Sequence, residues 1–290
     1  MSNPPRDWTV LSMLEWGTDY FKSKRIPDPR HSIEWLLAEV LDVKRLDLYL
    51  KFDRPLSDGE LDELRPLVKR RARHEPLQYI IGYTDFMNAR IKVNPEVLIP
   101  RIETEQLVEI ILDDQPDTGD NKKVLDIGTG SGCIPVALKQ ERPGWELFAI
   151  DISEGALAVA RENAREQNAD ITFSQGNIED WEALDLADQF DIIVSNPPYV
   201  LPEEKEALEK QVVEHEPAVA LFTDNMSRIY NSIIRYAGQT LPPCGHLYLE
   251  LHELHAEEIK SLFPPVQWEV TVESDYEKKA RFIKAKYTGS

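Results

Sequence analysis

From Lys123 onward, short apolar runs and amphipathic stretches trade places at a regular pitch. "KVLDIG" and "ELFAID" flank a helical "CIPVALKQE", and the capped amphipathic "SEGALAVARENAREQN" precedes the strand-like "ITFSQG" and "FDIIVSN". Farther on, "SRIYNSIIRYAGQTL" and "LHAEEIKSLF" carry helical spacing on either side of "HLYLELH". Strands separated by helices need crossover connections, so the pattern predicts an α/β fold with a mainly parallel sheet covered on both faces. The final pair, "VQWEVTVES" and "RFIKAKY", is joined by a short acidic loop, which predicts antiparallel pairing at one edge.

The chain before this region is different. "DWTVLSMLEWGTDYFKS", "DPRHSIEWLLAEVLDV" and "LSDGELDELRPLVKRRARHE" place apolar residues three and four apart, with Ser57 as a cap. A helical bundle over residues 1–75 is expected, followed by a β-hairpin linker over 76–98, with "LQYIIGY" and "ARIKVNPEVL" as its strands around Gly82. Residues 99–290 then form the α/β domain, starting with a helix in "PRIETEQLVEIILDD". The basic run "KRRARH" (Lys69–His74) is read as a solvated helix face in preference to a nucleic-acid or partner patch.

Charge narrows the partners. Residues 1–85 hold 14 Lys and Arg against 15 Asp and Glu; the remainder holds 19 against 37. Duplex DNA binders show a basic footprint, so a long nucleic acid across the acidic part is not expected. No apolar run reaches the ~18 residues of a membrane span, and "MSNPPRDWTV" lacks the pattern of a signal peptide. A cytoplasmic monomer with no membrane partner is the expectation. Cys133 and Cys244 have no CxxC spacing and are read as reduced thiols in or near the core.

"VLDIGTGSG" lies between a strand and a helix, where open α/β sheets bind ligands. Its glycines, Gly128, Gly130 and Gly132, spell GxGxG; Cys133 stands where a dinucleotide fingerprint would end, and no Gly-Lys-Ser/Thr follows. Asp151, at the end of the next strand, is placed to accept from both hydroxyls of a ribose. A ribose without a phosphate in the loop indicates an adenosine attached to something else. "SNPPYV" then leaves the strand "FDIIV" through two prolines that have no N–H for a ladder. "HELH" (His252–His255) has an i, i+3 histidine pair at a strand end, unlike HExxH, and no metal is expected.

"DIGTGSG", "AID" and "NPPY" in this order resemble the class I S-adenosylmethionine-dependent methyltransferases that act on a planar nitrogen. "EPLQYIIGYTDF", "VLIPRIETEQLV", "EHEPAVALF" and "DYEKKARF" narrow the resemblance to the glutamine methyltransferases of peptide-chain release factors, over nearly the whole chain. That implies a Rossmann-like seven-stranded sheet and methyl transfer to the glutamine N5 of the Gly-Gly-Gln motif of class I release factors. It implies cofactor contacts from Asp126, Ile127, Gly128, Thr129, Gly130, Gly132, Asp151, Ile152, Asn177, Ile178 and Asn196. Asn196 and the Pro197 carbonyl would take the two amide hydrogens, with Tyr199 packing on the amide and Pro198 beside it; Phe86 and Arg101 would flank the pocket, with core packing or a surface ion pair an equal alternative for each. The sequence departs from the family at Ile102, usually proline, at "FTDNMSRIY", which lacks a glycine, and at His252. Alternatives are methylation of another protein glutamine or of an adenine or guanine amino group, and a non-catalytic cofactor-binding module.

Overall fold

The computed structural model describes residues 8–289 apart from 185, 187 and 188. It divides into two compact units: residues through Gly82 together with Glu209–His215, and Tyr83–Leu208 together with Glu216 onward.

The first unit is helical. Helix α1 (Val10–Ser23) opens on a reciprocal cap between Thr9 and Ser12, and α3 (Asp58–Arg71) opens on the expected Ser57, whose hydroxyl accepts from the Glu60 N–H while Glu60 accepts from the Ser57 N–H. Val10, Leu14 and Phe21 of α1 meet Ile33, Leu36 and Leu37 of α2 (Pro29–Val40) and Leu64 and Val68 of α3 in one core. The run "LQYIIGY" is not a strand. It forms a short helix, α4 (Leu77–Ile81), between Pro76 and a left-handed Gly82 at φ 87°. Leu77 and Ile80, three apart, reach the bundle core, and that burial decides the period.

The basic run is a solvated face only in part: Lys69 and Arg73 are exposed, but Arg71 turns inward. Arg71 is 3% exposed, and its guanidinium donates to Ser32 Oγ, the Glu75 carbonyl and Gln211 Oε1 of α8 (Lys210–His215), while Arg70 pairs with Glu75.

In the second unit a hairpin, β1 (Tyr83–Phe86) and β2 (Ala89–Lys92), precedes α5 (Ile102–Asp114). The alternation then runs β3 (Lys123–Ile127), α6 (Cys133–Glu141), β4 (Glu146–Asp151), α7 (Glu154–Glu166), β5 (Ile171–Gln175) and β6 (Ile192–Ser195). After a short α9 (Ala218–Leu221) come α10 (Met226–Thr240), β7 (His246–Glu250), α11 (Ala256–Ser261), β8 (Trp268–Ser274) and β9 (Ala280–Tyr287). The seven-stranded sheet has the order β5-β4-β3-β6-β7-β9-β8. Its first five strands are parallel, and β9 runs antiparallel to both β7 and β8, as the acidic loop between the last two strands predicted. Leu125, Ile127, Ile193, Leu247 and Leu249 on these strands pack with Tyr230, Ile233 and Ile234 of α10. Cys133 is buried, but Cys244 is exposed in a left-handed turn (φ 70°) before β7, contrary to the expectation that both thiols lie in or near the core.

Candidate active site

Sheet growth reverses at β3: β4 and β5 add on one side, then β6 on the other. Such a switch point opens a crevice at the carboxyl ends of the strands. Here Ile127 and Ser195 are register partners, and Ser195 Oγ donates to the Ile127 carbonyl at 2.7 Å. The glycine loop and Asn196-Pro197-Pro198 therefore leave the sheet side by side, into a cavity of about 280 Å³. The prolines cannot extend β6; pairing resumes when the Val200 N–H donates to the Leu221 carbonyl and the Val200 carbonyl accepts from Thr223.

Gly128 (φ 73°) and Gly130 (φ 53°) hold left-handed conformations, and a Cβ on either would have no atom within 4 Å. Both line the cavity, so a ligand can approach their backbone closely. Gly132 serves otherwise: it caps α6 with its back to α7, where a Cβ would lie 3.0 Å from that of Ala160. Asp151 closes β4, one carboxylate oxygen accepting from the Gly130 N–H at 2.8 Å and the other from the Ser153 N–H at 2.9 Å. Burial pushes its carboxyl above the usual range, against those amides, and each oxygen keeps acceptor capacity toward the cavity it lines.

Asp126, on β3 just before the loop, is fully buried, and neither its oxygens nor the neighbouring Thr129 Oγ1 makes a hydrogen bond of good geometry. Burial pushes the Asp126 carboxyl up to about 7, the nearby Thr129 hydroxyl opposing the rise. Buried polar groups are normally partnered. Two orphans behind an open glycine loop, beside a carboxylate placed for hydroxyls, suit a ligand bearing both a ribose and a cationic head, as S-adenosylmethionine does.

The other wall is polar and unforeseen. Asn196 Nδ2 donates to Thr104 Oγ1 at 3.1 Å, and the Thr104 hydroxyl donates to Glu250 Oε2 at 2.8 Å. The Tyr199 hydroxyl donates to Glu250 Oε1 at 3.3 Å, and Tyr230 donates to the Glu250 carbonyl at 2.7 Å. Glu250 is 1% exposed, and burial pushes it up to about 7. Asn196 Oδ1 and the Pro197 carbonyl accept no hydrogen bond among the described residues.

Of the residues anticipated, Ile127, Gly128, Thr129, Gly130, Asp151, Ile152, Asn177, Ile178, Asn196, Pro197 and Pro198 line the cavity. Asn177 spends Oδ1 on the Glu179 N–H at 3.0 Å, at the start of a 3-10 turn. Asp126, Gly132, Phe86 and Arg101 do not line it. Phe86 is 1% exposed in the core, and Arg101 donates to Glu216 Oε1 at 2.6 Å in an ion pair whose other carboxylate oxygen accepts from the Ile99 N–H. Tyr199 also lies off the lining, its ring drawn toward Glu250 and His252. Glu204, His252 and His255 bring ligand atoms within 4.8 Å of one another. His252 Nδ1, however, accepts from the Leu254 N–H, which puts the ring proton on Nε2 and leaves that trio one ligand short.

The PrmC N-terminal domain family matches residues 12–82, and a methyltransferase domain family matches residues 118–269. A release factor glutamine methyltransferase of Geobacter sulfurreducens is 41% identical over 91% of this chain and 91% of its own. The chain belongs to the release factor glutamine methyltransferases. The Leptospira interrogans member is 35% identical over 95% of this chain and 97% of its own. A methyltransferase from Pyrococcus furiosus shares the fold, with a TM-score of 0.51 at 17% identity over 70% of this chain and 91% of that one.

The departures from the family pattern have local explanations. Ile102 is the first residue of α5 and is 62% exposed, a position where proline and isoleucine are both tolerated. The segment without glycine is capped by Asn225, whose side chain accepts from the Arg228 N–H. His252 caps the turn Glu253–His255 with its ring. Thr104 and Glu250 escaped the sequence reading. A carboxylate inside the apolar run "LYLEL" was the available signal for Glu250; Thr104 sat unremarked among the acids of "RIETEQ".

Proposed function

We infer that this chain transfers a methyl group from S-adenosylmethionine to the side-chain amide nitrogen of a release factor glutamine, the one in the Gly-Gly-Gln motif. Bound S-adenosylmethionine supplies an electrophilic methyl on a positively charged sulfur. Its ribose hydroxyls fall to Asp151, its amino-acid part to the glycine loop with Asp126 and Thr129, and its adenine to Asn177, Ile178 and Ile152.

The chain's own task is to present a poor nucleophile. An amide nitrogen shares its lone pair with the carbonyl. Two fixed acceptors that each take one amide hydrogen hold the NH₂ in place and return density to nitrogen. Asn196 Oδ1 and the Pro197 carbonyl fill that role; the observation that carries the reading is that both are free acceptors at the cavity wall, one strand from the glycine loop. Tyr199 braces the turn. No general base is required before transfer, because the proton leaves readily from the methylated, cationic nitrogen. The helical unit, closely balanced in charge beside an acidic remainder, recognises the body of the release factor. Among the described residues no helix is long and apolar enough to cross a membrane, which suits a cytoplasmic partner.

The test is incubation with labelled S-adenosylmethionine and purified release factor, followed by mass spectrometric location of the label. Label on the Gly-Gly-Gln glutamine is expected. Label on any other residue, or on nucleic acid alone, overturns the assignment.

A further inference from the structure

We infer that Thr104 and Glu250 are positioning residues that decide which end of the Asn196 amide meets the substrate. The inference rests on the reading of Asn196 Oδ1 as the substrate's acceptor.

An asparagine amide can sit in either of two orientations related by a half-turn, and they are opposite in function. With Oδ1 toward the cavity it accepts amide hydrogens; with Nδ2 there it presents two donors to a group that also donates, and binding of the amide is blocked. Shape does not choose between the two, because oxygen and NH₂ are nearly the same size. Hydrogen-bond polarity does. An ionised Glu250 only accepts, so the single Thr104 proton goes to its Oε2 at 2.8 Å. Thr104 Oγ1 is then an acceptor for its other neighbour, and the neighbour 3.1 Å away must be Nδ2. Oδ1 is left for the cavity. Both members are sequestered, Thr104 at 3% and Glu250 at 1% exposure, so bulk water does not compete for the bonds that carry the polarity.

Glu250 is set within charges from several elements. Glu103 on α5 opposes its ionisation, Arg281 on β9 favours it, and the hydroxyls of Thr104 and Tyr199 donate to it. Burial dominates and places its titration at about 7. A protonated Glu250 can donate to Thr104, whose own proton is then free to turn to Asn196 and draw Oδ1 away from the cavity. The acid has to be ionised for the productive orientation, so transfer rises as pH climbs through neutrality.

The test compares Thr104→Val, Thr104→Ser and Glu250→Gln, in the full chain with release factor, by single-turnover methyl transfer. Thr104→Val keeps shape and removes the relay; kcat is expected to fall about 10- to 100-fold, the size of one charge-linked hydrogen bond. The Kd for S-adenosylmethionine should stay unchanged, and Thr104→Ser should restore most of the rate. Glu250→Gln should flatten the rise through neutral pH, and it carries the test if Thr104→Val does not fold. In an Asn196→Ala background, Thr104→Val should cost nothing further. A folded Thr104→Val with wild-type kcat, an additive loss in the Asn196→Ala background, or a pH profile untouched by Glu250→Gln overturns the inference. If Asn196→Ala alone transfers at the wild-type rate, the fault lies instead in the reading of Asn196.

Discussion

Replacing Asn196 by alanine removes one acceptor from the cavity wall and little else. The side chain makes a single hydrogen bond, through Nδ2 to Thr104 at 3.1 Å, and Thr104 keeps its bond to Glu250. Losing that bond costs about 1 kcal/mol of stability, against the 5–15 kcal/mol of a typical fold. For a protein of this size that is a Tm shift of about 2–4 °C, so the variant stays folded. The kinetic effect is larger, because the acceptor is pre-oriented for the transition state. Loss of one such group lowers kcat by about 10²–10³, or roughly 2.7–4 kcal/mol. Asn196→Asp is the sharper variant. It supplies oxygen in both positions, but Thr104 has one proton for two carboxylates, so one of the acids must take up a proton or lose its bond. Intermediate activity that depends steeply on pH is expected. Single-turnover transfer at saturating substrates, with circular dichroism on the same samples, measures both variants. Near wild-type transfer by a folded Asn196→Ala would refute the reasoning and reduce the two prolines to a turn.

Asp151→Ala should raise the Kd for S-adenosylmethionine by the loss of hydroxyl contacts worth about 1.5–3 kcal/mol; calorimetry showing an unchanged Kd would take Asp151 out of the site. Gly130→Ala forces an alanine to φ 53°, at a cost of about 1–2 kcal/mol, and points its methyl into the ligand's approach. A lower Tm with much weaker cofactor binding is expected, and unimpaired binding would show that the loop is no cradle. Arg101→Ala leaves the Glu216 carboxylate, 1% exposed, with only the Ile99 N–H. Breaking a buried pair costs about 3–5 kcal/mol; because the Arg101 side chain is 32% exposed, about 1–3 kcal/mol is expected here after allowance for solvent. Denaturant unfolding measures it, and a stability equal to wild type would show that the pair is structurally idle.

The sheet was legible because its strands are short apolar runs repeated with amphipathic helices between them, and "VLDIG" followed by glycines can hardly be anything but a strand entering a turn. "LQYIIGY" misled because five residues are too few for a period to declare itself; its helix exists because Leu77 and Ile80 find the bundle core. The short helices Arg45–Leu50, Lys210–His215 and Ala218–Leu221 went unread for the same reason. At the site, Gly128, Gly130 and Asp151 were readable as local motifs, and so was Asn196. The link between Thr104 and Glu250 was not, since it joins residues 146 positions apart and no local pattern records such a contact. Phe86 and Arg101 came by resemblance alone, and the fold gives them other work.

The seven residues Glu209–His215 belong to the helical unit, though they lie far along the chain, just past the Pro202–Ala207 turn that follows Tyr199. The backbone thus passes between the units three times, after residues 82, 208 and 215. A protein engineer who cut at Gly82 would keep the bundle's apolar core, which residues 10–80 supply, but Arg71 would lose Gln211 and keep only its bonds to Ser32 and to the carbonyls of Glu75 and Pro27. A graft that reproduces the whole unit, with that bond, has to carry two separate sequence pieces that fit one another. Natural shuffling faces the same hurdle, so a single recombination crossover cannot exchange one unit and spare the other.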